Sequence, residues 1–177
     1  MPLKANMSLD EIVDYLQNDL KRSVLDDVKP CVQRAKRRGG YFSVPRLVLS
    51  YVDYLGALYN GYTGKMRKQR RIFACHTYAK AVLRDIFGHV DSNYARYGDL
   101  LWEIYRNGTI HLYEPMRLEN QGRVVKWLSY KGSRTQLLRR TPGLPPSYTV
   151  THLVPANVTG TLWLQPISTI CLYEDLR

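Results

Sequence analysis

The chain reads as a mainly α-helical protein: a four- to five-helix bundle with a small C-terminal β appendage, α+β overall. Three observations predict this. Apolar residues recur at helical spacing in four separate runs between Ile12 and Leu112. Those runs are divided by helix breakers such as Gly39-Gly40, Asn60-Gly61 and Gly88. After Gly122 the texture shifts to Val, Trp, Tyr and Thr punctuated by Pro and Gly, which suits short strands. A length of 177 residues fits one domain, 1–177, with one core. The bundle is expected over residues 8–120 and the β-containing appendage over 121–177.

Each element has a local reason. Ser8-Leu9-Asp10-Glu11 is a capping box, and Ile12, Tyr15, Leu16 and Leu20 follow at helical steps, giving a first helix to about Arg22. Asp26-Asp27 opens a short continuation before Pro30. Pro45 suits the first turn of a second helix, whose Leu47, Val48, Tyr51, Tyr54, Leu55 and Leu58 line one side before Asn60-Gly61 ends it. A third helix is expected over about Lys68 to Phe87, with Ile72, Phe73, Tyr78, Ala79, Val82, Leu83 and Ile86 as core candidates. The fourth begins near Asn93, and Tyr97, Leu101, Ile104, Gly108 and Leu112 mark its apolar face. Pro115 closes it by holding Glu114 extended. Arg123 to Tyr130 alternates poorly. Residues 141–146 are a loop, Tyr148 to Val154 and Thr161 to Leu164 read as strands, Pro155-Ala-Asn157 and Gly160 separate them, and Ser168 to Leu176 reads as a last short helix.

The net charge is +11, unevenly spread. Residues 1–28 hold 3 basic and 6 acidic groups, 29–71 hold 11 and 1, 72–122 hold 5 and 6, and 123–177 hold 7 and 2. Lys36, Arg37, Arg38, Lys65, Arg67, Lys68, Arg70 and Arg71 form the denser block; Lys131, Arg134, Arg139 and Arg140 lie in the other. Concentrated positive charge with 14 tyrosines suits a polyanion bound through its phosphates and by base stacking, which makes RNA the expected partner. Solvated basic loops are the alternative explanation for either block. Three cysteines (Cys31, Cys75, Cys171) without paired spacing argue against a disulfide framework or a zinc site and fit a reducing cytoplasm. The start, MPLKANMSLDEI, shows no secretory apolar region, and no run approaches 18 apolar residues, so no membrane association is expected. Four scattered histidines offer no metal-ligand spacing, and no metal or cofactor is expected.

The densest chemistry lies in Arg106-Asn107-Gly108-Thr109-Ile110-His111-Leu112-Tyr113. Arg106 offers a permanent cation for a phosphorane, His111 an imidazole able to move a 2′-hydroxyl proton near neutral pH, and Asn107 an orienting amide. Two backbone readings stay open. Asn107-Gly108 between two apolar-containing arms is a strong hairpin signature. The apolar steps from Tyr97 to Leu112 run unbroken through it and favour a helix, with Gly108 allowing close packing. On a regular helix Asn107 and His111 share a face, whereas Arg106 and His111 lie about 140° apart. Convergence of that pair then needs a break at Gly108, a long reach by Arg106, or two copies meeting in a symmetric dimer.

On these residues the chain resembles the HEPN superfamily of ribonucleases. Arg106-Asn107-x3-His111 is similar to the family's Arg-polar-x3-His motif, and the continuation to Tyr113 resembles the Arg-x4-His-x-Tyr form of HEPN toxins. The resemblance covers about residues 8–120. It implies an all-helical dimer that cleaves RNA without metal, by 2′-OH attack giving a 2′,3′-cyclic phosphate. Arg106, Asn107 and His111 would be catalytic, in a toxin or defence effector. It also implies a nucleotidyltransferase antitoxin as partner, which would place AMP on Tyr113. The Arg-x4-His spacing recurs at Arg71…His76 and Arg84…His89, where Ile72 and Asp85 stand in place of an amide after Arg, so His76 and His89 are assigned structural or surface roles. The alternative function is a non-catalytic HEPN-like module that binds nucleic acid or nucleotides; a purely structural or protein-binding role is a third.

Overall fold

The computed structural model describes residues 6–37, 41–60, 71–111 and 114–177, with side chains at all of these except 34–37, 71–75, 110, 111 and 120. Helix α1 runs unbroken through Leu9–Asp14, a π-helical stretch Tyr15–Leu20 and Lys21–Arg37. Ser8 caps it: its Oγ accepts from Glu11 N–H at 3.3 Å, and Glu11 Oε2 accepts from Ser8 N–H at 2.7 Å. The expected end near Arg22 is absent, and Pro30 lies inside the helix. Val24, Val28 and Val32, one turn apart, are buried and carry the helix past it. Pro30 itself is exposed, so water can serve the carbonyl that its ring leaves unpaired.

Helix α2 is Ser43–Tyr59, with Val44, Pro45, Val48, Leu49, Val52 and Gly56 buried. Helix α3 continues through Arg71–Val82, Leu83–Phe87 and Gly88–Val90. The two cross closely at Gly56, where a Cβ would lie 2.6 Å from the backbone of Tyr78 and Ala79. Helix α4 starts at an Asp91 cap, whose side chain accepts from Asn93 N–H at 2.9 Å, and runs through Ser92–Leu101, a π-helical Trp102–Asn107 and Gly108–His111. Gly108 has φ −60° and ψ −54°, so the Asn107-Gly108 step is helical and the hairpin is excluded. Tyr94, Leu101, Trp102, Ile104 and Tyr105 are fully buried along this helix.

The C-terminal third corrects the expected fold class. Strands β1 (Leu118–Asn120), β2 (Arg123–Tyr130), β5 (Ala156–Thr159) and β6 (Leu162–Ser168) form one mixed sheet in the order β1-β2-β6-β5. β2 and β6 are parallel and the outer pairs antiparallel. Strands β3 (Thr135–Arg139) and β4 (Ser147–Thr151) form a separate antiparallel ribbon. This is not an appendage on a mainly α protein. Ile167 of β6 and Leu153, just past β4, sit in the same buried cluster as Val48, Leu101 and Tyr105, with Val125 and Trp127 of β2 packed against it. The molecule is α+β with a core built from both halves. Tyr105 ties them: its hydroxyl accepts from Leu128 N–H at 3.2 Å and donates to the Gln165 carbonyl at 3.0 Å, joining the neighbouring strands β2 and β6. The segment read as a Pro155–Asn157 separator is largely strand β5.

Helix α5, Thr169–Leu176, closes the chain, capped by Ser168 Oγ. A buried polar network fixes it. Asp175 accepts from Tyr94 Oη at 2.9 Å and from Arg134, which also reaches Asp91. His152, fully buried, accepts Ser168 N–H on Nδ1 at 2.9 Å and turns Nε2 toward Asp175 at 3.6 Å. Nδ1 is therefore an acceptor, and the ring proton sits on Nε2. Among the described residues, no helix is long and apolar enough to cross a membrane.

Candidate functional site

The π-helical turn of α4 aims the motif residues at different neighbours. Arg106 turns toward α2: its Nε and an Nη lie 3.1 and 2.7 Å from Asp53 Oδ2, and its guanidinium sits 5.2 Å from the centroid of the Trp102 ring. The pair is mostly enclosed, with the side chains 24% and 20% exposed. Asp53 Oδ1 is buried without a hydrogen-bond partner among the described residues. Burial pushes the Asp53 carboxyl above its ordinary value, and Arg106 only partly opposes this. The guanidinium is thus the counter-ion of a poorly solvated acid.

Asn107 turns elsewhere. Its Nδ2 donates to Glu103 Oε2 at 2.8 Å, one turn back, and Glu103 Oε1 accepts from Lys80 Nζ of α3 at 2.9 Å. Lys80 also lies 3.9 Å from Asp99. Arg106 and Asn107, adjacent in sequence, therefore serve two separate polar groups on either side of α4. Thr109 Oγ1 donates to the Tyr105 carbonyl within the helix. His111 ends α4, but its side chain and all of Tyr113 lie outside the described residues. The same holds for Arg38, Lys65, Arg67, Lys68 and Arg70, and for the side chains of Lys36, Arg37 and Arg71. His76 and His89 are exposed.

Residues 114–116 lie back against α4. Met116 N–H donates to the Ile104 carbonyl at 2.8 Å, a bond from the returning segment to the wide helical turn. Gly108 permits this approach: a Cβ there would stand 2.3 Å from Met116 N and 2.6 Å from the Glu114 carbonyl oxygen. The returning segment then forms one wall of a cleft of about 470 Å³ lined by Glu114, Pro115, Met116, Arg117, Lys126 and Trp127.

Sequence reasoning missed Asp53, Glu103, Lys80 and this cleft. Asp53 did leave a trace, as the lone acid among residues 29–71, set within a largely apolar helix. An acid there needs a cation, and Arg106 supplies it. Nothing local in the sequence marks Trp127 and Met116 as neighbours, because their meeting depends on the sheet and the returning loop. No family model, no curated protein and no solved structure matches this chain.

Proposed function

We propose that the protein binds RNA, held along its basic surfaces and beside the C-terminal end of α4. The excess of 26 basic over 15 acidic residues supports a polyanionic partner, through release of condensed counter-ions. The observation that carries binding, in preference to cleavage, is the Arg106–Asp53 pair. A guanidinium that neutralises a half-buried carboxylate is not free to stabilise a phosphorane in the same chain. Its release would leave Asp53 buried and uncompensated, which is costly. Free Cys31 and Cys171 support a reducing compartment, the cytoplasm.

One observation favours the second reading, a HEPN-type ribonuclease. Asn107 and His111 stand four residues apart on a continuous helix, which sets the polar and His positions of the motif near one face. In this reading His111 moves the 2′-OH proton and Arg106 exchanges Asp53 for the phosphate, in a homodimer whose Tyr113 an antitoxin nucleotidyltransferase would modify. Labelled RNA incubated with the protein in EDTA separates the two. Salt-sensitive binding that leaves the RNA intact is the expected result. A cyclic-phosphate product that disappears in His111→Ala establishes the enzyme instead, and absence of binding at low salt refutes both.

A further inference from the structure

The cleft beyond the end of α4 has the makings of a site for a single base. Its floor is rigid: Pro115 is buried, Met116 is bonded to Ile104, and Gly108 lets that backbone lie on the helix. Trp127 opposes this wall from β2, half-buried and locked edge-to-face by Phe42, with ring centroids 4.9 Å apart and planes at 88°. An indole held in this way loses little freedom when a flat ring stacks on it. Lys126, the residue before Trp127 on β2, and Arg117, which pairs with Glu119, are both exposed and both line the cleft. Glu114 is the acidic member of the lining. A volume of about 470 Å³ accepts one nucleotide and leaves little room for a second.

We propose that this cleft is a subsite for one unpaired nucleotide of RNA. The base stacks on Trp127 against Met116 and Pro115, and the flanking phosphates meet Lys126 and Arg117. The combination of an immobilised aromatic face, apolar side walls and cations at the mouth is what single strands require and duplexes cannot use, since a paired base has no free face. The inference rests on the RNA-binding reading above and adds where an unstacked base is received.

The test uses the full chain and a fluorescein-labelled single-stranded RNA, read by anisotropy and by tryptophan emission in parallel. RNA is expected to quench emission in the wild type, and Trp127→Phe should remove most of that quenching. Phenylalanine still stacks and still meets Phe42, so affinity should fall only several-fold. Lys126→Gln, at an exposed position that does not threaten the fold, should weaken binding and reduce the slope of log K against log salt by about 0.7. Binding to RNA with quenching unchanged in Trp127→Phe, or with the slope unchanged in Lys126→Gln, overturns the subsite while the RNA-binding reading stands. A wild type that binds no RNA at low salt removes that reading, and the subsite with it.

Discussion

Asp53 and Arg106 show how a residue type can serve structure where its motif suggests chemistry. Arg106 spans α4 and α2 with two hydrogen bonds to one carboxylate oxygen, while the other oxygen is buried without a partner among the described residues. Removing the guanidinium strands an acid whose carboxyl is already pushed up by burial. Arg106→Ala should therefore destabilise the protein by about 2 kcal/mol, below the range for fully buried pairs because both side chains keep some solvent contact. Asp53→Asn combined with Arg106→Ala should recover part of that loss, since no charge is then left unpaired. Urea denaturation of the single and double variants measures both. An Arg106→Ala protein as stable as the wild type would mean that the pair is dispensable and that Arg106 is available for another task.

At the scale of elements, the α5 latch makes a pH prediction with a definite sign. Burial holds the His152 imidazole below its ordinary value, outweighing the pull of Asp175, and Nδ1 is occupied by the Ser168 N–H. The unfolded chain therefore takes up this proton at higher pH than the folded one. The stability it confers is complete above about pH 6.5 and is lost as pH falls below that. Asp175 acts lower: burial alone would raise it, but bonds from His152, Arg134 and Tyr94 hold it down, so its share is lost only in the carboxylate range. Thermal melts at pH 7.5 and 5.5 should show a drop for the wild type and a flatter response for His152→Gln. Parallel responses would exclude His152 as the source. The same elements show what the sequence could and could not reveal. α4 was legible because its apolar steps persist to Gly108 whatever the local Asn-Gly preference, and burial of one face decides the conformation. The sheet was not. β6 reads Leu-Trp-Leu-Gln-Pro-Ile-Ser, with Gln165 and Pro166 inside a buried strand. Gln165 is tolerated because its Nε2 donates to the Leu153 carbonyl at 2.7 Å, and Pro166 because β5 pairs no further along β6 than Leu164. Both compensations come from distant segments, so alternation fails as a guide.

For the whole molecule, the distribution of charge is the property most closely tied to function. The acidic start of α1, the basic block 29–71 and the balanced stretch 72–122 precede a second basic block that the sheet and ribbon carry. Arg123, Lys126, Arg139 and Arg140 are all exposed there, and the last two end the β3 side of the ribbon. Arg140 adopts φ 51°, a turn conformation that leaves its side chain outside the ladder. If RNA follows this surface, each phosphate met by a cation contributes to the salt dependence of binding, whereas a solvated basic loop contributes nothing specific. Arg139→Glu with Arg140→Glu should lower affinity at least tenfold at low salt and flatten the log–log salt slope by about 1.4, two phosphate contacts on a single strand. Neither position is buried, so the melting temperature should stay near that of the wild type. The slope, not the affinity alone, is the discriminating quantity. Reversed charge also repels a polyanion at long range, and salt screens that repulsion, so Arg139→Gln with Arg140→Gln is the control: a slope change that persists with neutral side chains reports lost phosphate contacts. An affinity loss with an unaltered slope would place the RNA elsewhere, on the block 29–71, and leave the ribbon as a bystander.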